Sequence, residues 1–443
     1  MSVASASQRT LSSQLPKLVG KPVSLQGWVH RIRNFGGLRF LVLRDRSALT
    51  QIVVPKSLEL TSDWGEINCE WVVAIDGNVR AEPRAPGGYE VLAETARAIS
   101  RAETPPIEIF KPQHAEQSQL QTLLDHRAIS LRVPEILDVF RVQAQIVRAF
   151  REHLNAQDFT EIFTPKLVLA GAEGGSAVFE VSYYERKAYL AQSPQFYKQM
   201  MVGSGLERVF EVGHAYRAEK SETSRHLTEF VSLDFEMGFI ESEEDVIAML
   251  SGTIGAIFES LRESCAPILS RRKIELPKVK TIPQIAYPEA AALLASRFGK
   301  TSGIEGDLDT EAEKLIGQWA LEEHGSALVF VTGYAVDRRP AYAMPMRGTS
   351  NPTLTHSFDL LYHGVEIVTG GQRIHDHAQL VGSFESRGID AKSVEGYLEA
   401  FKHGMPPHGG MGMGLERLTK QLLGLDNVKE ACLFPRDRTR LVP

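Results

Sequence analysis

Up to about Glu103 the chain alternates apolar and polar positions in short runs broken by turns: KPVSLQGWVHRIR, LRFLVLRDRSALTQIVV, EWVVAIDGNVR and YEVLAETARAIS. A period of two over segments this short marks half-buried strands, and several at this spacing predict a small barrel or sandwich. The pattern stops at ETPPIEIFKP, where Pro105-Pro106 can continue neither a strand nor a helix, so a hinge is expected over 106–134. Beyond it the period lengthens. Phe140, Ala144, Val147, Phe150 and Leu154 recur at helical spacing and predict a long amphipathic helix over 135–156, leading into a strand that ends at Thr164-Pro165. Strands with polar loops then dominate, with helices near 242–263, 288–297, 310–324 and 394–402 and a last one after GGMGMG. Strands without regular βα alternation predict an antiparallel sheet with helices packed on it. The reading is therefore α+β, with an N-terminal β-barrel over 1–105 and a larger domain over 135–443.

Length agrees, since 443 residues exceed what one ordinary core holds. An apolar fraction of 43% and a charged fraction of 23% are those of a soluble globular protein. No apolar run approaches the roughly 18 residues of a membrane helix, and MSVASASQRTLSSQL lacks the basic and apolar regions of a signal peptide. Cys69, Cys265 and Cys432 lie too far apart for a disulfide framework or a zinc knuckle. A cytoplasmic protein without a membrane partner is expected.

Charge changes the picture of the barrel. The net charge is −6, but residues 1–105 hold 13 Lys and Arg against 10 Asp and Glu, so the barrel carries +3 and the rest −9. Arg31, Arg33, Arg39, Arg44 and Arg46 crowd one hairpin. Such a patch either steers a polyanion or is a solvated strand face.

Four stretches carry candidate chemistry. In RAEKSETSRHLTEF, Arg217 offers a planar fork for phosphate or carboxylate, and Phe230 a flat surface for a base. The flanking VSLDFEMGFI places Leu233, Phe235 and Met237 on one face and Ser232, Asp234 and Glu236 on the other. A surface ion-pair network is the plain alternative for this loop. In GGMGMGLERLTKQLLGL, glycines lead to a helix with Arg417 in its first turn, where the dipole disfavours a cation unless a ligand or a nearby acid answers it. Neither a Walker loop nor a dinucleotide fingerprint occurs. In SFDLLYHGVEIVTGGQRIHDH, Asp359 and Glu366 are candidate oxygen ligands for magnesium and Arg373 follows a Gly-Gly break, while the HDH triplet is a weak zinc signal. GAEGGSAVFEV and AQSPQFYKQM add Glu173, Gln195 and Lys198.

Together these stretches resemble the three signature motifs of class II aminoacyl-tRNA synthetases: the helix and strand to Pro165 as motif 1, FEVGHAYRAEKSETSRHLTEF as motif 2 and GGMGMGLERL as motif 3. With a barrel in front, the resemblance is to the subclass of the aspartate, asparagine and lysine enzymes, over nearly the whole chain. QSPQFYKQ and GGQRIHDH are similar to the aspartate enzymes, and the compact chain to their archaeal type. The resemblance implies an oligonucleotide-binding barrel for the anticodon, activation of L-aspartate by ATP with magnesium, and transfer to the 3′ end of tRNA. Arg217 would bridge the ATP α-phosphate and the aspartate carboxylate, and Arg225 and His226 would reach the outer phosphates. Leu227 and Gly414 would join the ATP site. Phe230 and Arg417 would sandwich the adenine, with Glu219 at its edge. Asp359 and Glu366 would hold magnesium, with Thr369 where the family usually has serine. Glu173, Gln195 and Asp234 would orient aspartate by its ammonium group, and Lys198 and Arg373 would supply two cations for its side-chain carboxylate. A homodimer through motif 1 is implied.

In the barrel, Arg33, Phe40 and Gln51 match positions that read and stack the anticodon. Strict members of the family carry tryptophan where this chain has His30 and lysine where it has Pro86. The relaxed type, which aspartylates tRNA(Asn) as well as tRNA(Asp) and needs an amidotransferase downstream, is therefore expected. The alternatives are a strict tRNA(Asp) enzyme, an asparaginyl-tRNA synthetase, an asparagine synthetase descended from the same domain, and a non-catalytic RNA-binding paralogue.

Overall fold

The computed structural model describes residues 9–35, 38–59, 61–62, 65–110, 119–169, 177–218, 223–279, 281–346 and 353–443. The chain forms two compact units, Met1–Pro134 and Glu135–Pro443. In the first, five strands close a barrel: β1 (Pro22–Phe35), β2 (Leu38–Arg44), β3 (Leu49–Val54), β4 (Val72–Ala81) and β5 (Tyr89–Ser100), in the order β1-β2-β3-β5-β4. The alternation seen in the sequence fills it with Val23, Leu25, Val29, Leu41, Leu43, Ile52, Val73, Ile75 and Val91. The register of β1 against β2 slips between Val29 and Arg31, so the buried His30 falls at a bulge. Within the stretch expected as a hinge, Ile107 and Ile109 are buried, and Arg132 pairs with the buried Glu70 at 2.7 Å.

The second unit is built on an eight-stranded sheet. Its strands are β6 (Thr160–Glu161), β7 (Arg208–Tyr216), β8 (Glu229–Gly238), β9 (Gln284–Ala286), β10 (Leu328–Thr332), β11 (Ser357–Tyr362), β12 (Val365–Arg373) and β13 (His408–Gly414). Their spatial order is β9-β10-β11-β12-β13-β8-β7-β6. Its centre is antiparallel as expected; parallel pairs, β9 with β10 and β6 with β7, close its two ends. Among its helices are α1 (Pro134–Ala156), α2 (Gln195–Met201), α3 (Glu243–Ser264), α4 (Thr310–His324) and α5 (Leu415–Leu423). α1 begins with proline at the first position, where no N–H is needed, and α3 with a Ser242–Asp245 capping box. The helices near 288–297 and 394–402 appear as Tyr287–Phe298 and Glu395–Lys402, whereas α2, Ala266–Arg272 and His377–Ser386 were not foreseen.

The buried stripe of α1 is Val139, Val142, Ile146, Ala149, Phe150 and Leu154. Of the stripe read from the sequence, Phe140 and Val147 lie at its rim and Ala144 is exposed. Two apolar sets share this helix at the same spacing, and periodicity alone could not say which meets the sheet. Phe150 packs edge-on against Phe210 of β7, with ring centroids 5.9 Å apart, and α3 adds Val246, Leu250, Ile254, Ile257 and Phe258 to the same core.

The glycine run is not a loop but β13, in the middle of the sheet. A Cβ on Gly410 would lie 2.2 Å from both the Phe235 carbonyl oxygen and Glu236 Oε2, so only glycine lets the strands close around that carboxylate.

Candidate active site

On β8 the period of two sends Leu233, Phe235 and Met237 into the core and Ser232, Asp234 and Glu236 to the opposite face. Across the ladder Gly412 lies between Asp234 and Thr369, and Gly410 between Glu236 and Gly371. The glycines of β13 thus leave an open floor between two strands that carry polar side chains. Above it lies a cavity of about 310 Å³. A second irregularity aims β12: its pairing with β11 skips Ile367, so Glu366 and Thr369, three apart, both line the cavity.

At the deep end sits a buried ion cluster. The fully buried Lys198 ammonium of α2 donates to Asp234 Oδ1 at 2.8 Å and to the Met411 carbonyl at 3.0 Å, and lies 3.5 Å from Glu236 Oε2. Arg373 donates through Nε to Glu236 Oε1 at 2.9 Å and through Nη2 to the Gly410 carbonyl at 2.9 Å. Burial alone would raise the Glu236 carboxyl; Arg373 and Lys198 outweigh it and hold it below its ordinary value. Gln195 is drawn in, its amide donating to Glu236 at 3.2 Å.

Lys198 and Arg373 are the two cations expected to serve a side-chain carboxylate. Both are already paired, and Lys198 is not among the residues that line the cavity. Among the described residues that line the cavity, Asp234 keeps a buried Oδ2 without a hydrogen-bond partner, and the bonds of Arg373 described above use its Nε and Nη2. An ammonium group fits the first and a carboxylate the second.

At the wider end arginines gather. The Arg217 guanidinium sits 5.5 Å over the ring of Phe230. Arg417, in the first turn of α5, donates at 3.0 Å to both the carbonyl and the carboxylate of Glu366, the nearby acid its placement called for. Arg225 extends from the loop between β7 and β8 to Glu313 at 2.9 Å, and His226 lies 2.7 Å from the Thr223 hydroxyl. Leu227 is buried, and Gly414 is the N-cap of α5. Burial works to raise Glu366, but Arg417, Arg339 and Arg217 prevail and lower it. Glu313, buried beside Glu366, is pushed up to about 7 by its burial against the opposing pull of Arg225.

Asp359 differs from expectation. Both of its oxygens accept from Arg339, at 3.0 and 2.5 Å, and burial raises its carboxyl despite that partner. Glu366 Oε1 likewise accepts from Arg417 at 3.0 Å and from the Thr369 hydroxyl at 3.2 Å. Among the described residues no three His, Cys, Asp or Glu side chains come together as a metal cluster. Glu173 and Glu219 lie outside the described residues. Glu236, Ser232, Arg339 and Glu313 line or support the cavity without having been singled out as ligands. The polar parity of β8 could have flagged the first two; nothing in the sequence signals the others.

In the barrel Arg33 is exposed and faces the half-buried Phe40 across the β1–β2 hairpin. Gln51 donates to the buried Glu90 at 2.8 Å, and Pro86 is exposed at the start of a tight turn. His30 is buried, 3.1 Å from Arg44 and 5.7 Å from the ring of Phe110, and burial first, then Arg44, pulls it down to about 4.

Residues 119–438 match the family described as tRNA synthetases class II (D, K and N), and residues 23–99 match the OB-fold nucleic acid binding domain. The chain is 47% identical, over 98% of its length and 99% of the other's, to the aspartate-tRNA(Asp/Asn) ligase of Deinococcus radiodurans. It is 42% identical, over 96% of this chain and 97% of that one, to the aspartate-tRNA(Asp) ligase of Pyrococcus abyssi. The solved asparaginyl-tRNA synthetase from Pyrococcus horikoshii complexed with asparaginyl-adenylate superposes with a TM-score of 0.90 at 31% identity, covering 98% of this chain and 100% of that one.

One acid in the cavity wall makes stability depend on pH. Glu416, next to Arg417, is buried and pushed up to about 7 by that burial, although its oxygens accept from the Val231 N–H at 3.1 and 3.2 Å. Between its ordinary 4.5 and about 7 the folded chain holds this proton and the unfolded chain does not, so stability falls as pH rises through that window. Glu416→Gln keeps an acceptor and removes the titration. Its denaturation free energy is expected to lose about 3 kcal/mol less than wild type between pH 4.5 and 7.5. Equal slopes for the two proteins would show that Glu416 titrates normally.

Proposed function

The chain belongs to the class II tRNA synthetases (D, K and N), and from that membership we propose that it condenses L-aspartate with ATP to aspartyl-adenylate and passes the aspartyl group to the 3′ end of tRNA(Asp) and of tRNA(Asn). The observation that supports the choice of amino acid is the deep end of the cavity, which Arg373 lines together with Asp234 and its unpartnered oxygen. A side-chain carboxylate there meets a guanidinium and an ammonium group meets a carboxylate. Lys198 contributes from behind, by neutralising Asp234 and Glu236. An amide in place of the carboxylate gives up a charge-assisted bond, a difference of about 1.5–3 kcal/mol. The asparaginyl reading has less support, since the curated relatives at 42% and 47% identity are named for aspartate.

The chemistry asks for positioning more than for proton transfer. The ligand's α-carboxylate is already ionised. Its oxygen attacks the α-phosphorus of ATP in line, the new acyl-phosphate bond forms, and pyrophosphate departs with the electrons of the bond it leaves. Arg217, held over Phe230, is the cation for the oxygen atoms that gain charge. Phe230 and Arg417 flank the adenine, with Leu227 and Gly414 in the adjoining wall, and Arg225 and His226 serve the outer phosphates. Glu366 and Thr369 are hard oxygen donors suited to magnesium, which when bound neutralises phosphate charge; Asp359 joins them only if Arg339 lets go. Glu173 and Glu219 keep the roles the resemblance assigns.

We expect aspartate-dependent exchange of pyrophosphate into ATP without tRNA, and Arg217→Ala should lower it by at least about a thousandfold, near 4 kcal/mol, while the protein stays folded. Equal exchange with asparagine, or near-normal exchange by the variant, overturns the reading.

Relaxed tRNA choice is supported by the tRNA(Asp/Asn) name of the 47%-identical relative and by Pro86, and more weakly by the buried His30. Charging tRNA(Asn) with aspartate would require an amidotransferase to complete the product. kcat/KM for tRNA(Asp) and tRNA(Asn) transcripts should then differ by no more than about thirtyfold, near 2 kcal/mol. A ratio above about a thousand indicates a strict enzyme.

Dimerisation through motif 1 is supported by apolar side chains around Pro165, with Phe163 82% and Leu169 75% exposed. At micromolar concentration light scattering should give twice the chain mass, and Phe163→Asp should shift it toward one chain. A wild-type protein of single-chain mass with full activity refutes the dimer.

A further inference from the structure

The loop between β7 and β8 carries Arg225, and a helix outside the signature motifs holds it. α4 starts sharply because Asp309 caps it, its carboxylate accepting from the Glu311 N–H at 3.0 Å and the Ala312 N–H at 2.8 Å. Asp309 is itself held by Lys300 at 2.8 Å. A start so defined sets Thr310 and Glu313, one turn apart, on the same side of the helix. There Arg225 Nη1 donates to the Thr310 hydroxyl at 2.8 Å and Nη2 to Glu313 Oε2 at 2.9 Å. The Arg225 and Glu313 side chains are only 17% and 10% exposed, and Glu313 Oε2 also receives the Glu366 N–H of β12 at 3.4 Å.

A guanidinium has five N–H donors in a rigid plane. Two of them are spent on α4, which leaves three for the cavity that Arg225 lines. We propose that Thr310 and Glu313 are positioning residues for ATP, holding Arg225 in the orientation from which its remaining donors meet the outer phosphates. This rests on Arg225 serving those phosphates, as argued above. A long side chain on a loop otherwise loses much rotational freedom when it binds; fixed beforehand, it does not. The position of Glu313 fits this use. It is buried beside the like charge of Glu366, a placement that a pair serving stability alone could avoid on the open surface.

The test is pyrophosphate exchange by the full-length protein with ATP and aspartate varied separately. Glu313→Gln and Thr310→Val are each expected to raise KM for ATP about three- to tenfold, with KM for aspartate unchanged and Thr310→Ser at wild-type values. Arg225→Ala should raise KM for ATP at least as much, and Glu313→Gln should add nothing in that background, because it acts only through the arginine. Unchanged KM for ATP in Arg225→Ala removes the phosphate role of Arg225 and this proposal with it. A raised KM in Arg225→Ala, with Glu313→Gln and Thr310→Val at or below wild type, refutes the clamp and leaves the role of Arg225 standing. An additive effect of Glu313→Gln on Arg225→Ala likewise refutes it. Thr310 is exposed, so its variants keep the test open should Glu313→Gln fail to fold.

Discussion

The catalytic unit depends on one carboxylate, Glu236, which has no solvent exposure and lies between the cations of Arg373 and Lys198. A buried charge with one partner removed costs about 3–5 kcal/mol, so none of the three can change alone. The surrounding strands are shaped to the same end. Gly410 supplies a carbonyl to Arg373 and offers no Cβ where Glu236 needs the space. The glycine-rich strand, odd as sequence, is the consequence of a charge placed in the middle of a sheet.

From that constraint the two faces of the sheet follow. β8 turns its apolar residues to the helices and its polar ones to the cavity, and β13 keeps the floor flat between β8 and β12. The bulge at Ile367 then brings Glu366 and Thr369 to the same side, which strict alternation forbids. Arg217, Arg225, Arg339 and Arg417 line the rest of the cavity, which makes a binding place for a polyanion on a chain whose net charge is negative. Arg339, Arg225 and Arg417 are held by Asp359, Glu313 and Glu366, so protein partners orient these guanidinium groups.

Much of this was legible along the chain. The barrel strands, the long helix from Pro134, the antiparallel centre of the sheet and the polar parity of Ser232, Asp234 and Glu236 all follow from periods of two and 3.6 residues. So did the need of Arg417 for a ligand or a nearby acid, because a cation in a first helical turn is locally unfavourable; Glu366 is an acid beside it. Where two patterns shared one element the reading slipped: α1 buries Val142 and Ile146 and leaves Ala144 exposed. Packing in the 106–134 stretch was hidden because prolines announce the end of one element without saying what the next will touch.

The sequence by itself determined which residues share a face, which segments are strands and helices, and which family the motifs belong to, since each of these is local or a matter of order along the chain. Only the tertiary structure decided who pairs with whom. That Lys198 pairs with Asp234, that Arg339 holds Asp359, that Arg225 answers to a helix residue 88 positions away and that His30 is buried against Arg44 and Phe110 all depend on distances between segments far apart in the chain. Charge attraction in a buried site acts through space and over a few ångströms, and no spacing of residues along the chain encodes which charges will come that close.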